Sequence, residues 1–163
     1  MKKIWMIMAV TFVIIFCMTG CGEESDEFLD YVNGSAMSEL IDLDNQAKDS
    51  YAIVVNVTDD ETALQELNTN TTKLTKQAIT KAVTLGNEIK GEKLKKVHNL
   101  FVSSLVNFQC GVELRVELLQ SGETEQMIKV DEWIDKADAD LDSYNKELEE
   151  LANDRGCTLT TIK

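Results

Sequence analysis

Apolar residues return every three or four positions through almost the whole of residues 26–157, and not one proline interrupts them. That period belongs to amphipathic helices, and over such a length it leaves no place for the two-residue alternation of a half-buried strand. Eight glycines also supply too few turns for a β-sandwich or barrel. The expected class is all-α.

Four stretches carry the repeat. The first, about 26–57, places Phe28, Val32, Ala36, Leu40, Leu43, Ala47, Tyr51 and Val54 on one face, with an interruption at Gly34-Ser35. Thr58-Asp59-Asp60-Glu61 has the form of a capping box and opens the second, whose seam runs Leu64, Leu67, Thr71, Leu74, Ala78, Ala82, Leu85, Ile89. A break of phase between Ile89 and Leu94 predicts a turn at Lys90-Gly91, and the third helix, about 92–120, ends at Ser121-Gly122. The fourth, about 123–155, repeats through Met127, Val130, Ile134, Ala137, Leu141, Tyr144, Leu148 and Leu151, with Gly156 just beyond its end. Rods of about 30 residues are ~45 Å long. Short connections make sequential rods antiparallel, so an up-down-up-down four-helix bundle is expected, with a three-helix bundle and a loosely docked first segment as the alternative.

The first twenty-one residues read differently. Lys2 and Lys3 precede an apolar run from Ile4 to Met18 that contains only Thr11 as a polar residue. Fifteen helical residues span ~22 Å, short of a ~30 Å hydrocarbon core, which fits an export signal better than a permanent span. The run closes in Met18-Thr19-Gly20-Cys21, which resembles the lipobox of bacterial lipoproteins, with Met18 in place of the usual leucine. The resemblance implies recognition of Met18, Thr19 and Gly20 by a signal peptidase, cleavage before Cys21, and attachment of that cysteine to membrane lipid through a diacylglyceryl group with chains such as palmitate. The lysines before the run and Glu23, Glu24, Asp26 and Glu27 after it place the remainder outside the cytoplasm. The expected organisation is a signal peptide at 1–20, a lipidated Cys21 with a short acidic tether to 25, a bundle over 26–157, and a tail at 158–163.

Charge narrows the function. The chain carries −13, and −15 once residues 1–20 are gone, which excludes a nucleic-acid partner. Yet Lys73, Lys76, Lys81, Lys90, Lys93, Lys95 and Lys96 face only Glu88 and Glu92 within residues 73–96. In an up-down bundle anchored at Cys21 the Gly91 turn returns to the membrane end, so Lys90, Lys93, Lys95 and Lys96 are candidate lipid contacts. The alternative is that these lysines only offset the acidic first and fourth helices across the bundle. At the opposite end Val54, Val55, Val57, Leu118 and Leu119 offer a candidate surface for an envelope or secreted protein partner.

Chemistry is sparsely marked. No nucleotide, zinc or hydrolase motif occurs, no cofactor is expected, and His98 is the only histidine, read as an incidental surface or half-buried residue rather than a catalyst. Cys110 and Cys157 fall ~36 Å apart along an antiparallel hairpin, too far for a disulfide, so both are expected as free thiols. Asp138, Asp140, Asp142 and Glu149 match positions 1, 3, 5 and 12 of a calcium loop, but Ser143 stands where glycine is needed and the helical repeat runs through. The function these features favour is a lipid-anchored, non-enzymatic binding module of the cell envelope. The alternatives are a small-ligand or metal-ion binding lipoprotein using the acidic fourth helix, and an exclusion lipoprotein of phage or plasmid type.

Overall fold

The computed structural model describes residues 16–17 and 23–159. Met18, Thr19, Gly20 and Cys21 lie outside the described residues. The chain forms α1 (Glu23–Asn33), α2 (Ser35–Asn56), α3 (Asp60–Glu66) continuing through a π-turn (Leu67–Thr71) into α4 (Thr72–Glu88), α5 (Glu92–Ser121) and α6 (Met127–Asp154). Strand β1 (Phe16–Cys17) pairs antiparallel with β2 (Cys157–Thr158), and Cys17 lies opposite Cys157. The four rods α2, α3–α4, α5 and α6 make the up-down-up-down bundle. The 57–59 and 122–126 connections sit at one end, called distal below. The 89–91 turn and residues 155–157 sit at the other, the basal end.

The turns follow from local chemistry. Asp59, rather than Thr58, caps α3: its carboxylate accepts from Thr62 N at 2.8 Å and from the Thr62 hydroxyl, and those bonds hold its pKa below the ordinary value. Gly122 ends α5 at φ 76°, a conformation that side chains with a Cβ rarely adopt.

Two features of the rods depart from a simple repeat. From α3 into the start of α4 the buried positions are Ala63, Leu67, Thr71 and Thr75, each four residues on. Steps of four drift around an α-helix of 3.6 residues per turn, and the wider π-turn at Leu67–Thr71 takes up the drift. Its buried polar groups are paired: Thr75 Oγ1 donates to Thr71 O at 2.8 Å, Ser50 Oγ donates to Glu66 Oε1 at 2.6 Å, and Thr71 Oγ1 therefore donates to Ser50 Oγ at 2.7 Å. In α2, Leu40, Ala47, Tyr51 and Val54 are buried as expected, but Met37 and Asp44 take inward positions where Ala36 and Leu43 were expected and are half-exposed.

The acidic tether is helix from Glu23, and α1 is docked rather than loose. It closes the basal end. Phe28 is fully buried with the Arg155 guanidinium 5.3 Å from its ring centre, and Tyr31 and Val32 join the core. The Glu27 carboxylate accepts from Lys90 N at 2.6 Å and Gly91 N at 2.9 Å, supplying partners to the amides of the turn before α5. Glu27→Ala should cost about 1 kcal/mol, read as a lower urea midpoint together with faster hydrogen exchange at the Lys90 and Gly91 amides. Unchanged exchange there would count against this docking.

Candidate functional site

Besides the Ser50–Thr71 network at the π-turn, two clusters of buried polar groups stand out inside the bundle. The first surrounds His98, which is wholly buried on α5 rather than at the surface or half-buried as expected beside Lys95 and Lys96. Its Nε2–H donates to Ala82 O at 2.8 Å, so Nδ1 is the acceptor for the Tyr31 hydroxyl at 2.9 Å, and Tyr31 O in turn accepts from the Tyr144 hydroxyl at 3.3 Å. Gly86 makes the space, because a Cβ there would stand 2.9 Å from His98 Cδ2 and 3.1 Å from Nε2. Burial lowers the His98 pKa, only partly opposed by the Ala82 carbonyl, and burial raises both tyrosines. The three groups are neutral. They join α1, α4, α5 and α6 and face no carboxylate among the described residues, so they hold helices together.

The second cluster lies where the bundle ring closes, between α2 and α6. Helix α6 packs along α5, α2 along α4 and α4 along α5, whereas the α2 and α6 backbones stand further apart. On α2, Asp44 and Lys48 form an ion pair of 2.7 Å with side-chain exposures of only 2% and 9%. Asp44 Oδ2 receives the lysine, whereas Oδ1 has no hydrogen-bond partner. Burial raises the Asp44 pKa against the pull of Lys48. Facing this pair, α6 presents Asp131, Asp135, Asp138 and Asp142, all exposed, at one-turn spacing. The Asp138 pKa is raised, first by desolvation against α2 and then by Asp142, Asp135 and Asp44, with Lys48 in opposition. Nearer the distal end Arg115 donates to the Tyr51 hydroxyl at 3.2 Å and lies 5.5 Å from its ring centre, while its buried Nε lacks a hydrogen-bond partner.

No protein family, curated protein or solved structure matches the chain.

The positions singled out in the sequence separate into groups. Of the distal set, Val54 and Leu118 are core residues and unavailable to a partner, Val57 and Leu119 pack half-buried against the core, and Val55 is 47% exposed. Ile128, the most exposed large apolar side chain among the described residues at 67%, was missed because it sits beside the Met127–Val130–Ile134 repeat and not on it. Lys90, Lys93 and Lys96 are exposed and Lys95 half-exposed at the basal turn. Helix α1, with Asp26, Glu27 and Asp30, lies against that turn, so the local charge is balanced. The other lysines of the basic stretch lie away from it on the α4 flank, where Lys76 reaches Glu113 at 3.6 Å and Lys81 pairs with Glu39.

Residues 127–154 run as helix through the calcium-loop spacing. Asp140 turns towards α5, accepting from Ser103 at 2.6 Å and Asn107 at 2.7 Å, while Asp138 and Asp142 face α2. Among the described residues no three metal-ligating side chains converge. Cys110 is a free thiol, as its spacing required. Cys157 is not: it is buried and disulfide-bonded, with a partner outside the described side chains. Cys110 lies too far along the hairpin to be that partner, whereas Cys17 stands opposite Cys157 across the β1–β2 pair. Cleavage before Cys21 would remove Cys17 and with it the β1–β2 pair. Among the described residues no helix is long and apolar enough to cross a membrane.

Proposed function

We propose that the mature chain is a lipid-anchored, extracytoplasmic bundle that works in the cell envelope by binding another protein. The observation that carries this reading is the position of Cys21: it lies two residues before α1, and α1 is locked to the basal end by Glu27, Phe28 and Tyr31. An acyl group on Cys21 would therefore hold the basal end at the membrane. The distal end, with Ile53, Val55 and Ile128 exposed, would stand roughly 30 residues of helix, or ~45 Å, away. Lys90, Lys93, Lys95 and Lys96 would meet the headgroups together with the acids of α1, which makes the acyl chains the main attachment and the lysines a minor one.

The test compares wild type with Cys21→Ala in living cells, using metabolic fatty-acid labelling, fractionation and chemical crosslinking. Wild type should carry label, sediment with membranes and crosslink to a defined envelope or secreted protein. The variant should lose all three. Unlabelled wild type, or a variant that stays with membranes and keeps its partner, would overturn the anchoring.

A further inference from the structure

Among the described residues the α2/α6 seam brings together a widely spaced helix pair, an acidic stripe and exposed apolar side chains. Helix α6 carries ten acidic residues against Lys129, Lys136 and Lys146. Asp131, Asp135, Asp138 and Asp142 stand along one face at i, i+4, i+7 and i+11, a stripe of ~16 Å. Glu149 continues it at i+18. Beneath the stripe Asp44 is 1% exposed with Oδ1 unpartnered, and Lys48 is its only bonded cation. The cluster is short of positive charge, and no three of its ligands converge for a metal. At the distal end of the same seam Val55 on α2 and Ile128 on α6 expose 47% and 67% of their surface.

We infer that this seam is a docking surface for a basic amphipathic helix of a partner protein. Three to four turns of such a helix place lysine or arginine side chains at the same i, i+4, i+7, i+11 spacing as the aspartates, and an apolar side chain at one end meets Val55 and Ile128. Charge complementarity sets orientation and speeds encounter, and the apolar end supplies the buried contact. The inference rests on the binding-module reading and names its surface and the chemistry of its partner.

The test uses the acylated protein in phosphatidylcholine nanodiscs, with a photo-crosslinking residue at Asp135 or Ile128 in the seam, or at Val83 or Val106 on the other flanks. The probe is a synthetic helical peptide with lysines at the stated spacing and leucines at one end. A second peptide carries glutamate in place of lysine. Seam positions should label the lysine peptide at least tenfold more than Val83 or Val106 do, and should leave the glutamate peptide unlabelled. Asp138→Asn/Asp142→Asn should lower that labelling about tenfold, and salt should weaken it. Equal labelling at all positions, labelling of the glutamate peptide, or crosslinks joining two copies of this chain would overturn the inference. A cellular partner captured only through the α4 or α5 flank would overturn it too, yet leave the envelope-module reading standing. Seam labelling beside a Cys21→Ala chain that stays on membranes would sink the anchoring and leave the seam.

Discussion

Lys48→Met should cost about 3–5 kcal/mol at neutral pH, because it leaves the Asp44 carboxylate buried without its cation. Asp44 already has one oxygen unpartnered, and burial already raises its pKa although Lys48 opposes the rise. Without Lys48 the folded-state pKa climbs further. A carboxyl whose folded pKa lies above its unfolded value loses stability as pH rises from the unfolded value through the folded one. The variant should therefore be closest to wild type near pH 4 and fall furthest behind at pH 7.5. Asp44→Leu/Lys48→Met removes both charges and should recover most or all of the loss, since a well-packed apolar pair often equals or betters a buried ion pair. Urea unfolding of the four proteins at both pH values closes the cycle. A single-variant cost under about 1 kcal/mol at pH 7.5 would mean that water reaches Asp44 and that the seam is wetter than its burial indicates.

The same pair shows where sequence reading reached its limit. Helical period located the four rods, the turn before α5 and the Gly122 terminus, because those depend on local spacing and turn chemistry that a sequence displays directly. It put Leu43 inside and passed over Asp44, because a period argument ranks residues by hydropathy and the real face of α2 admits an ion pair that satisfies itself at i, i+4. The π-turn was invisible for a related reason: its signal is a run of four-residue steps that an assumed 3.6 period absorbs as scatter. His98 looked peripheral beside two lysines. Its burial depends on partners 67 residues before it and 46 after it, and on the missing side chain at Gly86. None of those is a local property. The acidic stripe of α6 was legible as charge, but the wide α2/α6 spacing behind it arises only when the ring of helices closes.

His98→Ala should destabilise the bundle by about 3–5 kcal/mol, combining the cavity left by a wholly buried ring with a Tyr31 hydroxyl deprived of its acceptor. Tyr31→Phe should cost less, about 1–3 kcal/mol, since it orphans Nδ1 but keeps the ring. Tyr144→Phe should cost least, because its 3.3 Å bond is the longest of the three in the His98 cluster. Acid separates the histidine from a mere space-filler. The folded-state pKa of His98 lies below the ordinary value of 6.5, chiefly through burial, so the unfolded chain binds the proton more readily. Stability is then fully present above pH 6.5 and is lost as pH falls from there towards the folded value. Protonation would also place hydrogens on both ring nitrogens, reversing the Tyr31 bond and leaving Tyr144 to donate with no acceptor before it. His98→Gln keeps one donor and one acceptor and does not titrate, so its melting temperature should be flat across that window while that of wild type falls. Parallel curves for the two would show that acid acts elsewhere. Because Tyr31 belongs to α1, the helix next to Cys21, hydrogen exchange of residues 26–33 should quicken in the acid limb before exchange in α5 does.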